Sequence, residues 1–133
     1  MFTAKVYTTA ILSLSGMMGE THTARQTVSR WNQQHGPSAG TLFMPVDHPQ
    51  AADVVIALVD NWVGDTRAID HCIAAGGSVV LLFNAFADPG NTIESEHQAV
   101  AAFRGRVQPH CRCLEYRDTA QLRQRVEEAI EAL

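Results

Sequence analysis

The densest group of chemically capable side chains in the chain is the run DNWVGDT at 60–66. It holds two carboxylates, Asp60 and Asp65, and an indole, Trp62, that could stack on a flat ligand. Gly64 would let backbone approach a ligand closely, and a helix starting near Thr66 would offer an N-terminus that attracts anions. A plain structural reading stands beside this one. Asp65 or Thr66 is also a good helix N-cap, Asp60 an ordinary strand-end turn residue, and Trp62 a plug over a sheet. Two other polar segments carry similar residues: Leu14-Ser15-Gly16, and the stretch that begins at Asn84.

Other constellations point to less. His110-Cys111-Arg112-Cys113 and His71-Cys72 collect imidazoles and thiols, but a C-x-C beside one histidine is a poor match to the two spaced ligand pairs of a zinc site. Buried, inert cysteines at a strand start are the commoner arrangement, and no metal is expected. No G-x-S-x-G elbow accompanies Ser13 or Ser15. LSLSG at 12–16 is a thin version of the Ser/Thr-rich loop that an FMN site would want.

The elements that must position these residues alternate between strand and helix. Strands are expected at Lys5–Ser13, Thr41–Val46, Asp53–Asp60, Ser78–Asn84 and Cys113–Tyr116. DVVIALVD and SVVLLFN are nearly continuous apolar runs, typical of strands covered on both faces, and should be central. Met17, Thr21, Ala24, Val28 and Trp31 recur at helical spacing and predict a first helix that stops at His35-Gly36-Pro37. Further helices are expected over 66–75, ending at Gly76-Gly77, over about 95–106, and from an Asp118 N-cap with Gln121 in the capping-box position. Asp47–Ala52 has room for a single helical turn, and 87–92 reads as a loop. Right-handed crossovers then make a doubly wound, flavodoxin-like three-layer α/β sandwich with a parallel sheet in the order 2-1-3-4-5. Its second helix is shortened. In such sheets ligands bind beyond the carboxyl ends of the strands, near the switch in strand order. Ser15, Gly16, Asp60 and Asn61 are therefore expected ligand contacts, together with Trp62, Gly64, Thr66 and Asn84.

The 133 residues fit one domain, with 46% hydrophobic and 18% charged residues and a formal net charge of −4. That composition supports a packed core. Its charge, with one lysine (Lys5) and scattered arginines, argues against non-specific nucleic-acid binding. No apolar run approaches the ~20 residues of a membrane helix. The N-terminus reads as a strand rather than a signal peptide, and three cysteines, an odd number, suit the reducing cytosol.

Taken in order, WNQQHG (31–36), GTLFMPV (40–46), ADVVIALVDNWVGDT (52–66), RAIDHCIAAGGSVVLLF (67–83) and EHQAVAAF (96–103) resemble prokaryotic TIR-like domains. The group resembled is the uncharacterised one found in anti-phage defence and STAND-ATPase fusions, itself similar to nucleoside 2-deoxyribosyltransferases. The resemblance implies a ligand such as NAD or a related nucleotide, no required cofactor, and N-glycosidase chemistry in which a carboxylate supports an oxocarbenium-like ribose. At the positions of that family's paired glutamates this chain has Arg67 and Ala68. The nearest acids, Asp65 and Asp70, become the catalytic candidates, and a catalytically inactive sensor or assembly module becomes the alternative. Glu20 and Arg25 echo acidic and basic positions on the family's first helix, or form a simple helix surface pair. The shortened second helix would leave one sheet face thinly covered, which implies a homo-oligomer or a partner protein. Receiver-like modules fit poorly, because Leu12–Ser15 lacks their acids and no lysine follows Lys5.

Overall fold

The computed structural model describes residues 5–16, 18–60, 62–85 and 94–133. Asn61, Met17 and the expected loop at 87–92 lie outside them. Five parallel strands form one sheet: β1 (Lys5–Ser13), β2 (Thr41–Pro45), β3 (Val54–Val59), β4 (Ser78–Asn84) and β5 (Arg112–Tyr116), ordered β2-β1-β3-β4-β5. Between them run α1 (Met18–Ala39), a 3-10 turn (Pro49–Ala51), α2 (Arg67–Ala74) and α3 (Glu94–Val107), and α4 (Thr119–Glu131) follows β5.

No residue of β3 is more than 1% exposed. A strand dry on both faces needs a layer on each. Ile56, Leu58, Val80 and Leu82 pack with Val28 and Trp31 of α1 and Leu122 and Val126 of α4. The alternate residues Val55, Val59, Leu81 and Phe83 pack with Ile69 and Cys72 of α2 and Phe103 and Val107 of α3. The period of two along the strands thus sorts one apolar run into two cores.

The first helix does not stop at Gly36-Pro37 as its sequence suggests. It runs on to Ala39 and ends before Gly40, which takes φ +64°. Proline's fixed φ is itself helical, so Pro37 removes only one N–H from the final turn. Gly36 earns its place by proximity, since a Cβ there would lie 3.0 Å from the Thr41 carbonyl oxygen. At the end of α2 the Gly76 N–H bonds the Ile73 carbonyl and the Gly77 N–H bonds the Cys72 carbonyl, with Gly76 at φ +78°, a Schellman ending. Asp118 accepts from the Gln121 N–H at 2.7 Å, while the Gln121 side chain accepts from the Arg117 N–H at 2.8 Å. The forward half of the expected capping box therefore forms as usual, while the return bond reaches the residue before the N-cap.

The outer edge of the sheet, β2, is closed by a side chain. The Asn32 carboxamide donates to the Phe43 carbonyl at 2.8 Å and accepts from the Phe43 N–H at 2.9 Å. Pro45 has no N–H to offer. Trp31 meets the Phe43 ring edge-on at 5.3 Å, and Tyr7 stacks on its other side at 5.4 Å. The Trp31-Asn32 pair thus anchors α1 to the edge strand and blocks strand addition there.

The opposite face of β1 and β2 is less well covered. Only the 3-10 turn stands between β2 and β3, and Val6 (45% exposed), Leu42 (37%) and Met44 (45%) remain open on one face. Replacing Asn32 by alanine leaves the Phe43 peptide groups without their partner. The expected loss is about 1–3 kcal/mol of unfolding free energy in urea titrations, with increased light scattering on heating as the edge reopens.

Candidate functional site

All five strands point the same way, so their carboxyl ends share one rim. The strand order reverses between β1 and β3, where the loops after these strands meet. Leu14 N–H donates to the Leu58 carbonyl at 2.9 Å, and Gly64 N–H donates to the Leu14 carbonyl at 2.8 Å. The Ser15 hydroxyl donates to the Trp62 carbonyl and accepts from the Asp60 N–H at 2.8 Å. Ser15 is 8% exposed; it acts as a staple between the two loops, with one acceptor lone pair left over. Gly16, at φ +74°, then turns the chain toward α1.

Trp62 is held on this staple by its own carbonyl, yet its side chain is 43% exposed. The indole lies against Gly64, where a Cβ would come within 3.1 Å of the ring and 3.2 Å of the Leu14 oxygen. Only glycine allows the indole, the β1 loop and the backbone at 64 to lie this close. The result is a flat aromatic surface open to solvent beside the switch in strand order.

The two acids expected to be catalytic are both held by arginines. Asp65 forms a forked pair with Arg67, at 2.7 and 3.0 Å, and accepts the Arg67 N–H at 3.0 Å, which makes it the polar cap of the first turn of α2. Those bonds hold the Asp65 carboxyl down at about 2. Thr66, the residue before α2, donates its hydroxyl to Asp70 at 3.2 Å instead of capping the helix. Asp70 also binds Arg106 of α3 at 2.7 Å. Arg67 therefore neutralises Asp65, the acid two residues before it. Arg25 does not form a surface pair with Glu20; it reaches the Ile11 carbonyl at 3.2 Å.

Asp60 is different. It is half-buried, and burial, then the nearby Glu20 carboxylate, raise its carboxyl above the ordinary range. A second group of this kind went unsingled in the sequence. Tyr116 ends β5 in register with Asn84, is 3% exposed, and its buried hydroxyl has no hydrogen-bond partner among the described residues. Burial pushes its pKa far up, so the phenol stays protonated, and Glu20 and Asp60 push it further. A tyrosine closing a strand at the carboxyl rim is the sequence signal that could have marked it. Asn84, half-buried, ends β4 beside it. The cysteines show no activation: burial raises all three thiols, Cys111 to about 11. Among the described residues, no three His, Cys, Asp or Glu side chains converge as a metal set.

The Asp60 shift has a definite sign. A raised carboxyl binds its proton more tightly in the folded chain than in the unfolded one. Its stabilising contribution is complete below the unfolded value of about 3.8 and is lost as pH rises through the folded value. At pH 7 the ionised carboxylate therefore opposes folding. The Asp60→Asn variant should melt higher than the parent at pH 7, with the gap closing toward pH 4 in differential scanning calorimetry. A gap independent of pH would contradict this.

No family model matches the chain, and no curated protein matches it. Among solved structures it is similar to a de novo designed Rossmann 2x3 fold protein determined by solution NMR. That similarity covers 94% of this chain and 90% of that one at 14% identity, with a TM-score of 0.53. A second de novo designed Rossmann fold protein aligns over 91% of this chain and 95% of its own, with 14% identity and a TM-score of 0.41. At such identity the likeness concerns fold alone: this chain has a Rossmann-like, doubly wound α/β fold.

Proposed function

We propose that the chain is a nucleotide-binding domain that takes NAD or a related ribosyl nucleotide at the carboxyl rim between β1 and β3, and that it binds this ligand rather than cleaving it. The observation that carries the reading is the exposed Trp62 indole, seated on Gly64 and pinned by Ser15 beside the switch in strand order. Such a surface suits a nucleobase or nicotinamide ring, and Asn84 and Asp60 at neighbouring strand ends suit its polar groups. Asn61, which lies outside the described residues, remains a proposed contact on sequence grounds.

Binding is favoured over hydrolysis because the two candidate acids are engaged. Stabilising an oxocarbenium-like ribose needs an anion facing the anomeric carbon. Asp65 and Asp70 each share their charge with a guanidinium, at 2.7 Å in both cases. By resemblance to TIR-like domains, the setting proposed is signalling or defence in a bacterial cytoplasm. No described helix is long and apolar enough to cross a membrane.

Trp62 fluorescence provides the test. NAD or ADP-ribose should quench it, and Trp62→Ala should weaken binding measured by calorimetry roughly tenfold or more, as expected for ~1–3 kcal/mol of ring stacking. Chromatography of NAD incubated with the protein should show no nicotinamide. Nicotinamide release that disappears in Asp65→Ala or Asp70→Ala would replace the binding reading with a glycohydrolase. The absence of any nucleotide binding would remove it.

A second reading, self-association, is favoured by the open Val6, Leu42 and Met44 face. Asn32 closes the edge of β2 to strand pairing, so a second copy would pack face to face. Sedimentation velocity should show a dimer that Leu42→Lys and Met44→Lys together convert to monomer. A monomer for the unaltered chain at high concentration would count against it.

A further inference from the structure

The carboxyl rim carries a second group of residues, on the opposite side of the sheet from α2. Asp60 follows the last residue of β3, and continuing the alternation of Val54, Ile56 and Leu58 by one step puts it on the side covered by α1 and α4. By the same count from Val80 and Leu82, Asn84 falls there too. Tyr116 belongs to the core on that side, and Glu20 lies in the first turn of α1, which covers it. Two adjacent strands, β4 and β5, therefore end in polar residues and a third, β3, is followed by one, all beneath one helix start.

Tyr116 is the exceptional member. It is 3% exposed, and its hydroxyl is fully buried without a hydrogen-bond partner among the described residues. Buried hydroxyls in folded proteins nearly always have a partner. Phenylalanine would fill the same apolar space without leaving a polar atom unsatisfied. The Glu20 and Asp60 carboxylates both act on the hydroxyl through their charge, and Glu20 acts on Asp60.

We infer that Tyr116, Asp60 and Glu20 form a subsite for the vicinal hydroxyls of a ribose. The chemistry is complementary. Carboxylates only accept hydrogen bonds, the phenol can donate one, and a diol can donate two and accept in return. A phosphate would be repelled by the two acids, so the phosphate end of a nucleotide would point away from α1, while its ring lies on Trp62. This inference rests on the nucleotide reading above and adds to it which end of the ligand lies under α1.

The test compares adenosine 5′-monophosphate with its 2′,3′-dideoxy counterpart by titration calorimetry, on the parent chain and on Tyr116→Phe. The parent should prefer the ribose compound about tenfold. Tyr116→Phe should lose most of that preference while binding the dideoxy compound as before. Its melting temperature should be equal or higher, since an unsatisfied hydroxyl has been removed. Equal affinities in the parent, or a preference that survives in Tyr116→Phe, would overturn the subsite and leave the nucleotide reading standing. A lower melting temperature would show that the hydroxyl has a structural partner, and would overturn it as well. If neither compound binds, the nucleotide reading fails and the subsite fails with it.

Discussion

The complete burial of β3 is the constraint on which the rest of the molecule depends. Six consecutive apolar residues, none more than 1% exposed, must be shielded on both faces. That requires helices above and below the sheet, and helices on both faces are what parallel strands with right-handed crossovers supply. Parallel strands in turn collect every carboxyl end on one rim. The location of the candidate site thus follows from the dryness of a single strand, before any polar residue is considered.

Around that core, coverage is uneven. α1 and α4 shield one face, and α1 is tied to the β2 edge by Asn32, Trp31 and Phe43. On the other face the 3-10 turn at Pro49–Ala51 replaces a helix. The amino-terminal parts of β1 and β2 are left apolar and open there. A saturated edge next to an uncovered face distinguishes two ways of associating. Strand addition needs free peptide groups, which Asn32 and Pro45 remove, whereas packing of faces needs only apolar area.

Charge divides the rim into two environments. Near α2, Asp65 and Asp70 are exposed or half-exposed and engaged by Arg67 and Arg106. The Arg67 guanidinium holds the Asp65 carboxyl well below the usual range. Beneath α1, Asp60 and Tyr116 are drier, and both are shifted toward their protonated forms. A domain of this fold carries no function by virtue of its topology, as the likeness to a designed protein illustrates.

Much of the architecture was legible in the residues. Continuous apolar runs marked β3 and β4, helical spacing marked the stripe Thr21, Ala24, Val28 and Trp31, and the short Asp47–Ala52 segment announced the missing helix. Local rules succeed there because periodicity and chain length act within one element. The end of α1 departs from its local pattern: Gly36 and Pro37 look like a stop, but proline's φ is itself helical and the chain turns only at Gly40. The site divides the same way. The sequence by itself determined that Ser15, Gly16, Asp60, Trp62 and Gly64 would meet at the switch in strand order, because strand ends and order follow from the pattern. Only the tertiary structure decided that Arg67 and Arg106 hold the two acids, that Ser15 is a staple, and that Tyr116 lies near Asp60 and Glu20 with its hydroxyl unpaired among the described residues. Apart from the local Asp65–Arg67 pair, those relations join residues 36 to 96 positions apart, and their strength depends on distance and burial, which no local pattern in the chain encodes.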